Sequence, residues 1–426
     1  MADERRTRRW TRRALIIGGG AAVVGGTALL AARKEDRGGT HDQYFLALSN
    51  ALRQAGIARP VLVIDVNRLD HNLAATRQAL APKRLPLRVV VKSLPAQGLI
   101  EHVARGMATN RFMVFNGAML ATMAQRAEAD LLLGKPLPAA QVAELLDALG
   151  PAAAGRVQWL VDTPDRLQKY AEIARGKSIK LRTNFEIDIG LHRGGFPTTE
   201  ALAAGLDLAK QSPEIAVTGL MGYDPHVPKM LDPDAAYDQA QDKYRAAIGV
   251  MGEVLGIDLA TLTLNGAGSP TYTRHAQNTV ANEVSVGSAF AKPADFDLPE
   301  LAQHVPAAFI ATPVVKALDR MHLPGNEWLS GPLNFIDPNT KRAFFIYGGH
   351  WLATPESPPG LEFNSLYGRS SNQELLTGSD RIALKPDDFV FFRPNQSEAV
   401  FLQFGDIALF DGTNITGYWP TFPVSA

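Results

Sequence analysis

Lys92 closes the run Leu87-Arg88-Val89-Val90-Val91 and is the first residue in this 426-residue chain placed where it could do chemistry. A β-branched run of this kind belongs to a sheet covered on both faces. A lysine is seldom buried there without a partner, because desolvating an ammonium is costly. Its ordinary role at a strand end is to hold its head in solvent. The chemical alternative is an amine that attacks an aldehyde and forms a Schiff base. Polar residues gather in the same way along or after later apolar runs. Arg182, Asn184, Glu186 and Asp188 precede His192 and Arg193; Tyr223, Asp224 and His226 form a second group; Asn265-Gly266-Ala267-Gly268-Ser269 a third; Gly287 and Ser288 a fourth.

The elements that would position these groups follow from periodicity. After a strand at PVLVIDV, eight short apolar runs alternate with amphipathic stretches: LRVVVKS, RFMVFN, ADLLLG, VQWLVD, IKLRTNFEIDIG, AVTGLMGYD, LTLNGAG and EVSVGSAF. This alternation predicts an α/β fold, a (β/α)8 TIM-type barrel over residues 60–300. Functional residues of such barrels gather at the C-terminal strand ends, where the groups above fall. A doubly wound open sheet is the alternative, but no GxGxxG follows an early strand. From about residue 300 short strand-like runs with many Pro and Gly predict a mostly β C-terminal domain, 301–426.

Hydrophobic residues make up 46% of the chain and charged residues 20%, as in ordinary globular proteins. Net charge is zero, yet residues 1–32 hold six arginines against Asp3 and Glu4. The remainder therefore carries a net −4, which argues against nucleic acid as a partner. The absence of cysteine excludes disulfides, thiolate metal sites and cysteine nucleophiles. Residues 1–32 themselves read as an address, basic at first and then uncharged from Ala14 to Ala32. Thr11-Arg12-Arg13-Ala14-Leu15 resembles a twin-arginine export signal. The segment lacks a clear small-residue cleavage pair, and its 19 uncharged residues suffice for a membrane anchor. Localisation is expected to be periplasmic, or inner-membrane anchored and facing the periplasm. Residues 33–59 are a linker followed by a helix.

From about residue 60 to 426 the chain resembles fold-type III pyridoxal-phosphate enzymes, chiefly the D-threonine aldolase and D-serine dehydratase branch, with alanine racemase more distant. The stretches that carry this are LRVVVKS, FEIDIGLHRGG, GLMGYD, LNGAGSPTY, EVSVGSAF and FFRPNQSEAVFLQFGDIALFDGTNITGYW. The resemblance implies that Lys92 forms the Schiff base with pyridoxal 5'-phosphate and that Arg193 faces the pyridine nitrogen. It implies that Asn265, Gly266, Gly268, Ser269, Gly287 and Ser288 hold the phosphate and that Tyr223 lies near the cofactor. An ordinary tight turn is the alternative for the glycine-rich loop, and core packing for the tyrosine. Related enzymes commonly dimerise, so a homodimer is expected.

The same resemblance implies a lyase acting on D-β-hydroxy amino acids, by aldol cleavage or by dehydration. Relatives of that branch hold a divalent metal near the C-terminus through His and Cys or Asp. Here Gln396 and Glu398 stand at those positions, which argues against zinc. An oxygen-only pair could take Mg or Mn weakly. The metal-free alternative, which we favour, makes Glu398, Glu374 or a histidine the base. His226 and His350 are the histidines expected beside the cofactor, each also consistent with a structural role. A racemase, with Tyr367 or a histidine as second base, and a non-catalytic cofactor- or amino-acid-binding periplasmic protein are the competing functions.

Overall fold

The computed structural model describes residues 33–322 and 325–424; the address read in residues 1–32 lies outside them. The described chain divides into two compact units. One comprises residues 61–310, 352–354 and 393–424, the other the described residues of 33–60, 311–351 and 355–392.

The first unit is built on a closed barrel of eight parallel strands: β2 (Leu87–Val90), β3 (Arg111–Val114), β4 (Asp130–Leu133), β5 (Val157–Val161), β6 (Leu181–Ile187), β7 (Ile215–Gly222), β8 (Thr263–Gly266) and β9 (Glu283–Val286). Closure is made by β9 lying beside β2, with Leu87 opposite Val284 and Val89 opposite Val286. The expected (β/α)8 barrel is therefore formed. Side-chain oxygens start several of its helices: Asn116, Thr163, Thr198 and Asp232 each accept the main-chain N–H three residues ahead. The strand predicted at PVLVIDV forms β1 (Val61–Asp65), which stays outside the barrel and pairs in parallel with β16 (Asp406–Phe410). β16 in turn pairs antiparallel with β17 (Ile415–Pro420).

That C-terminal ribbon matters for the site. Its end docks on the segment after β2: the Phe422 N–H donates to the Pro95 carbonyl at 2.8 Å, and Thr421 bridges to Ala96. Trp419 lies against the glycine face of the helix Gln97–Gly106, where a Cβ on Gly98 would overlap its indole.

The barrel interior carries charge where such barrels usually carry branched apolar side chains. Arg88 and Glu283 are both fully buried. Arg88 Nε donates to Glu283 Oε1 at 2.6 Å and its Nη2 to Asp130 Oδ2 at 3.2 Å. Arg111 adds a bond to Glu283 Oε2 at 2.7 Å, and Asn265 Nδ2 donates to Glu283 Oε1 at 2.7 Å. A buried ion pair holds only when its remaining lone pairs and protons are also matched, and here they are.

The second unit is mostly β, as the sequence predicts for the C-terminal part. The later residues of β10 (Ala308–Leu318) pair antiparallel with β11 (Arg342–Tyr347). β11 pairs with β14 (Gln373–Gly378), and β14 with β13 (Glu362–Phe363). Phe344, Ile346, Leu376, Val390, Phe391 and Phe392 are buried in this unit. β12 (Ala353–Ser357) and β15 (Phe389–Pro394) are the remaining strands among the described residues. No helix among the described residues is long and apolar enough to cross a membrane.

Candidate active site

At the C-terminal ends of the barrel strands lies a cavity lined by Lys92, Arg193, Tyr223, Ser269 and Glu398. β2 ends at Val90, and the 3₁₀ turn Val91–Ser93 carries Lys92 into this cavity. The Lys92 ammonium lies 3.2 Å from Glu398 Oε1 and 4.9 Å from the centre of the Phe115 ring. Each partner of this ion pair keeps about a third of its side chain accessible (36% and 34%). Glu398 reaches Lys92 because the chain returns after the β-rich unit and docks on residues 95 and 96. Among the described residues it is the one carboxylate lining the cavity.

Opposite charges are otherwise scarce. Arg193 lines the cavity with its guanidinium 5.1 Å from the centre of the Tyr223 ring, and it makes no ion pair among the described residues. Burial pushes the Tyr223 phenol up to about 12, against the opposing pull of Arg193. The phenol thus stays neutral, a hydrogen-bonding group rather than a base.

The loops after β8 and β9 form a donor-rich cup. The N–H groups of Gly287 and Ala289 both donate to Ser269 Oγ, at 3.2 and 3.0 Å. The Ser288 hydroxyl donates to Ser93 Oγ at 3.0 Å. A Cβ on Gly268 would stand 2.5 Å from the Tyr223 ring, and one on Gly287 would stand 2.8 Å from Val90 Cβ. Behind the cup, Thr271 Oγ1 donates to Asp224 Oδ1 at 2.6 Å, and His275 Nε2 lies 2.8 Å from Asp224 Oδ2. Burial alone would raise the Asp224 carboxyl. The charge and hydrogen bond of His275, with the Thr271 hydroxyl, outweigh it and hold the group below the usual carboxylate range.

Lys92, Arg193, Tyr223, Asn265, Gly268, Ser269, Gly287, Ser288 and Glu398 thus line one cavity. Gly266 sits one layer down in β8, where a Cβ would meet His275 at 3.0 Å. His226 is not among the lining residues; its Nε2 would lie 2.9 Å from a Cβ on Gly190, and its buried Nδ1 has no hydrogen-bond partner. Burial lowers the affinity of that imidazole for a proton, in spite of Asp224 and Asp188. His350 belongs to the other unit, where its N–H donates to Glu374 Oε2 at 2.6 Å. Glu374 is buried and ion-paired with Arg369, so its carboxylate is already engaged.

The metal alternative gains no support. Gln396 donates to Asp295 Oδ2 at 2.9 Å while Glu398 turns to Lys92. No three His, Cys, Asp or Glu side chains gather to hold a metal ion among the described residues. Gln396 is held off by Asp295 because its amide is a donor as well as an acceptor and finds an anion nearby.

Some contributors were not read from the sequence. Ser93 and Phe115 line the cavity, and His275 braces the loop through Asp224. The available signal for the brace was Thr271 and His275, four apart and hence on one helix face.

A profile described as the alanine racemase N-terminal domain matches residues 64–293. The chain belongs to this family. Among curated proteins none matches it. Three solved structures share its fold at low identity. D-threonine aldolase from Filomicrobium marinum is 18% identical, with a TM-score of 0.68, over 85% of this chain and 96% of its own. D-threo-3-hydroxyaspartate dehydratase from Delftia sp. HT23 is 15% identical, with a TM-score of 0.63, over 86% and 98%. Alanine racemase from Bacillus anthracis, solved with bound L-Ala-P, is 12% identical, with a TM-score of 0.64, over 85% and 98%. These likenesses extend through the barrel and the β-rich part, and they agree with the fold-type III architecture.

Pyridoxal phosphate is the cofactor expected for this fold family, and the donor set present fits it. An amine suits an aldehyde. Arg193, with no ion pair among the described residues, and the hydroxyls of Ser269 and Ser288 suit a phosphorylated ring, and one carboxylate leaves the cavity net positive.

Proposed function

We propose that the chain is a pyridoxal-phosphate-dependent lyase acting on D-β-hydroxy amino acids, by aldol cleavage or by dehydration. The observation that carries this is Lys92 paired with Glu398 at 3.2 Å in the mouth of the family's barrel. The names of two of the three relatives, an aldolase and a dehydratase acting on D-amino acids, support the choice of substrate class. Lys92 would hold the cofactor's aldehyde carbon, Arg193 would donate to the ring nitrogen, and the Ser269 and Ser288 hydroxyls in the loops around Gly268 and Gly287 would hold the phosphate. When bound, the cofactor supplies an electron sink for bonds broken at the substrate's α-carbon.

The remaining chemistry belongs to the chain's own atoms. Lys92 Nζ and Glu398 Oε1 are close enough to exchange a proton. Glu398 is the atom set we assign to the β-hydroxyl: it would take that proton as the Cα–Cβ bond breaks, or return one as water leaves. The neutral Tyr223 phenol and the Phe115 ring wall the cavity and limit water beside the amine. Racemisation needs a second base. Tyr367, the residue considered for that part, donates its hydroxyl to the His322 carbonyl at 3.3 Å.

Product analysis tests the proposal. Protein loaded with cofactor is given D-threonine, D-serine and D-threo-3-hydroxyaspartate, and D-alanine as a racemase substrate. Glycine plus an aldehyde, or a keto acid plus ammonia, is the expected outcome. Glu398→Gln is expected to lower kcat about 10²–10⁴-fold while the cofactor's absorbance is kept. Inverted enantiomer alone would make the chain a racemase, and no product at all would make it a binding protein.

We also propose that residues 1–32 direct export by the twin-arginine route or remain as an inner-membrane anchor. What supports this is Arg12-Arg13 followed by the uncharged stretch Ala14–Ala32.

A further inference from the structure

We propose that the face of the β-rich unit carrying Trp328 and Phe335 rests on a lipid bilayer, beside the point where residues 14–32 enter it. The inference rests on the anchor reading of that segment and adds to it a specific membrane-facing surface. Nineteen residues in a helix would span roughly 28 Å, about the thickness of the hydrocarbon core. An anchor of that length would deliver Arg33 and Lys34 to the lipid headgroups. In the structure these two residues are pinned to one short segment. The Lys34 N–H donates to the Ile336 carbonyl at 2.8 Å, its ammonium pairs with Asp337 at 2.7 Å, and the Arg33 guanidinium lies 5.4 Å from the centre of the Phe335 ring.

The same segment exposes aromatic surface. It consists of the 3₁₀ turn Glu327–Leu329 and the helix Ser330–Ile336. Trp328 is 75% exposed and Phe335 45% exposed. An indole left in water next to basic residues is the arrangement found at membrane interfaces, where the ring sits at headgroup depth. Charge does not drive the contact, because the nearby acids offset the bases: Asp337 takes Lys34, Asp319 takes Arg342 and Asp380 takes Lys341. A zwitterionic lipid surface therefore suffices, and the aromatic rings supply the affinity.

The test uses the full chain reconstituted with phosphatidylcholine vesicles whose acyl chains carry bromine near the headgroup. A Trp10→Phe background removes the tryptophan within residues 1–32, and Trp328→Phe in that background isolates the emission of Trp328. The protein is expected to float with the vesicles. Its Trp328-dependent emission is expected to be quenched by the brominated lipid and shielded from aqueous iodide. Flotation with Trp328 open to iodide would overturn the proposal and leave the anchor standing. Shielding from both quenchers would overturn it in favour of a cover made of protein, a second copy or residues 14–32 folded back. Failure to float would remove the anchor reading and this surface together.

Discussion

Gly287 shows how little room the cup after β8 and β9 leaves at the scale of single residues. A methyl group there would stand 2.8 Å from Val90 Cβ and 2.9 Å from both Ser93 Cβ and the Val90 carbonyl. Gly287→Ala is therefore expected to shift the loop and turn its amide away from Ser269. The expected cost is about 1–3 kcal/mol of stability, together with a several-fold weaker affinity for pyridoxal phosphate. Thermal unfolding and a cofactor titration on the same sample check both; unchanged affinity would separate this loop from the phosphate. Lys92, Arg193, Ser269 and Gly287 were legible because strand ends and glycine-rich turns leave local marks in a sequence, and Glu398 only through the resemblance of its segment to a family motif. Ser93 and Phe115 were not, since a serine after a lysine and a phenylalanine after a strand have many ordinary uses. Gln396 shows the opposite limit. A position in a motif says nothing of Asp295, a hundred residues earlier, which engages its amide.

Between elements, polar braces decide where the site residues stand. The Asp224–Thr271–His275 set ties the end of β7 to the loop after β8. Deeper in the barrel, Glu283 takes Arg88, Arg111 and Asn265 at once. Arg88→Met would leave the buried Glu283 with only the half-exposed Arg111 as its cation, and would strip the half-buried Asp130 of its partner. The expected loss is about 3–5 kcal/mol, seen as a lower denaturant midpoint with an unchanged slope. This network could not be read from the sequence. Strand alternation assigns an arginine between leucine and valine to solvent, and only closure of the barrel puts it inside. A second brace is pH-dependent. His304 is buried, and its Nε2 lies 3.2 Å from both the Thr76 and Tyr272 hydroxyls. Burial, with Lys292 nearby, lowers its imidazole from the ordinary 6.5 to about 4. The unfolded chain thus takes up a proton near 6.5 that the folded chain takes only near 4. Stability from this group is complete above 6.5 and drains as the pH falls towards 4, by roughly 3 kcal/mol. The unfolding temperature of the wild type should fall across that window more steeply than that of His304→Gln.

For the molecule as a whole, the order of elements was legible and their grouping only in part. Alternation of strands and helices marked the barrel, and the change to short strands near residue 300 marked the β-rich part. Yet residues 393–424 group with the barrel and residues 33–60 with the β-rich unit. Periodicity describes a strand's neighbours in sequence, whereas β16 finds its partner in β1, more than three hundred residues away. That return of the chain brings Glu398 to Lys92. The proposed function requires that Lys92 be the residue that holds pyridoxal phosphate. The direct measurement is the visible absorbance of purified protein with pyridoxal phosphate, wild type beside Lys92→Ala, before and after borohydride. A protein-bound band that depends on Lys92, and a cofactor fixed to the chain by borohydride in the wild type alone, is the predicted result. An identical spectrum from both proteins, with nothing fixed at Lys92, would contradict the account at its centre.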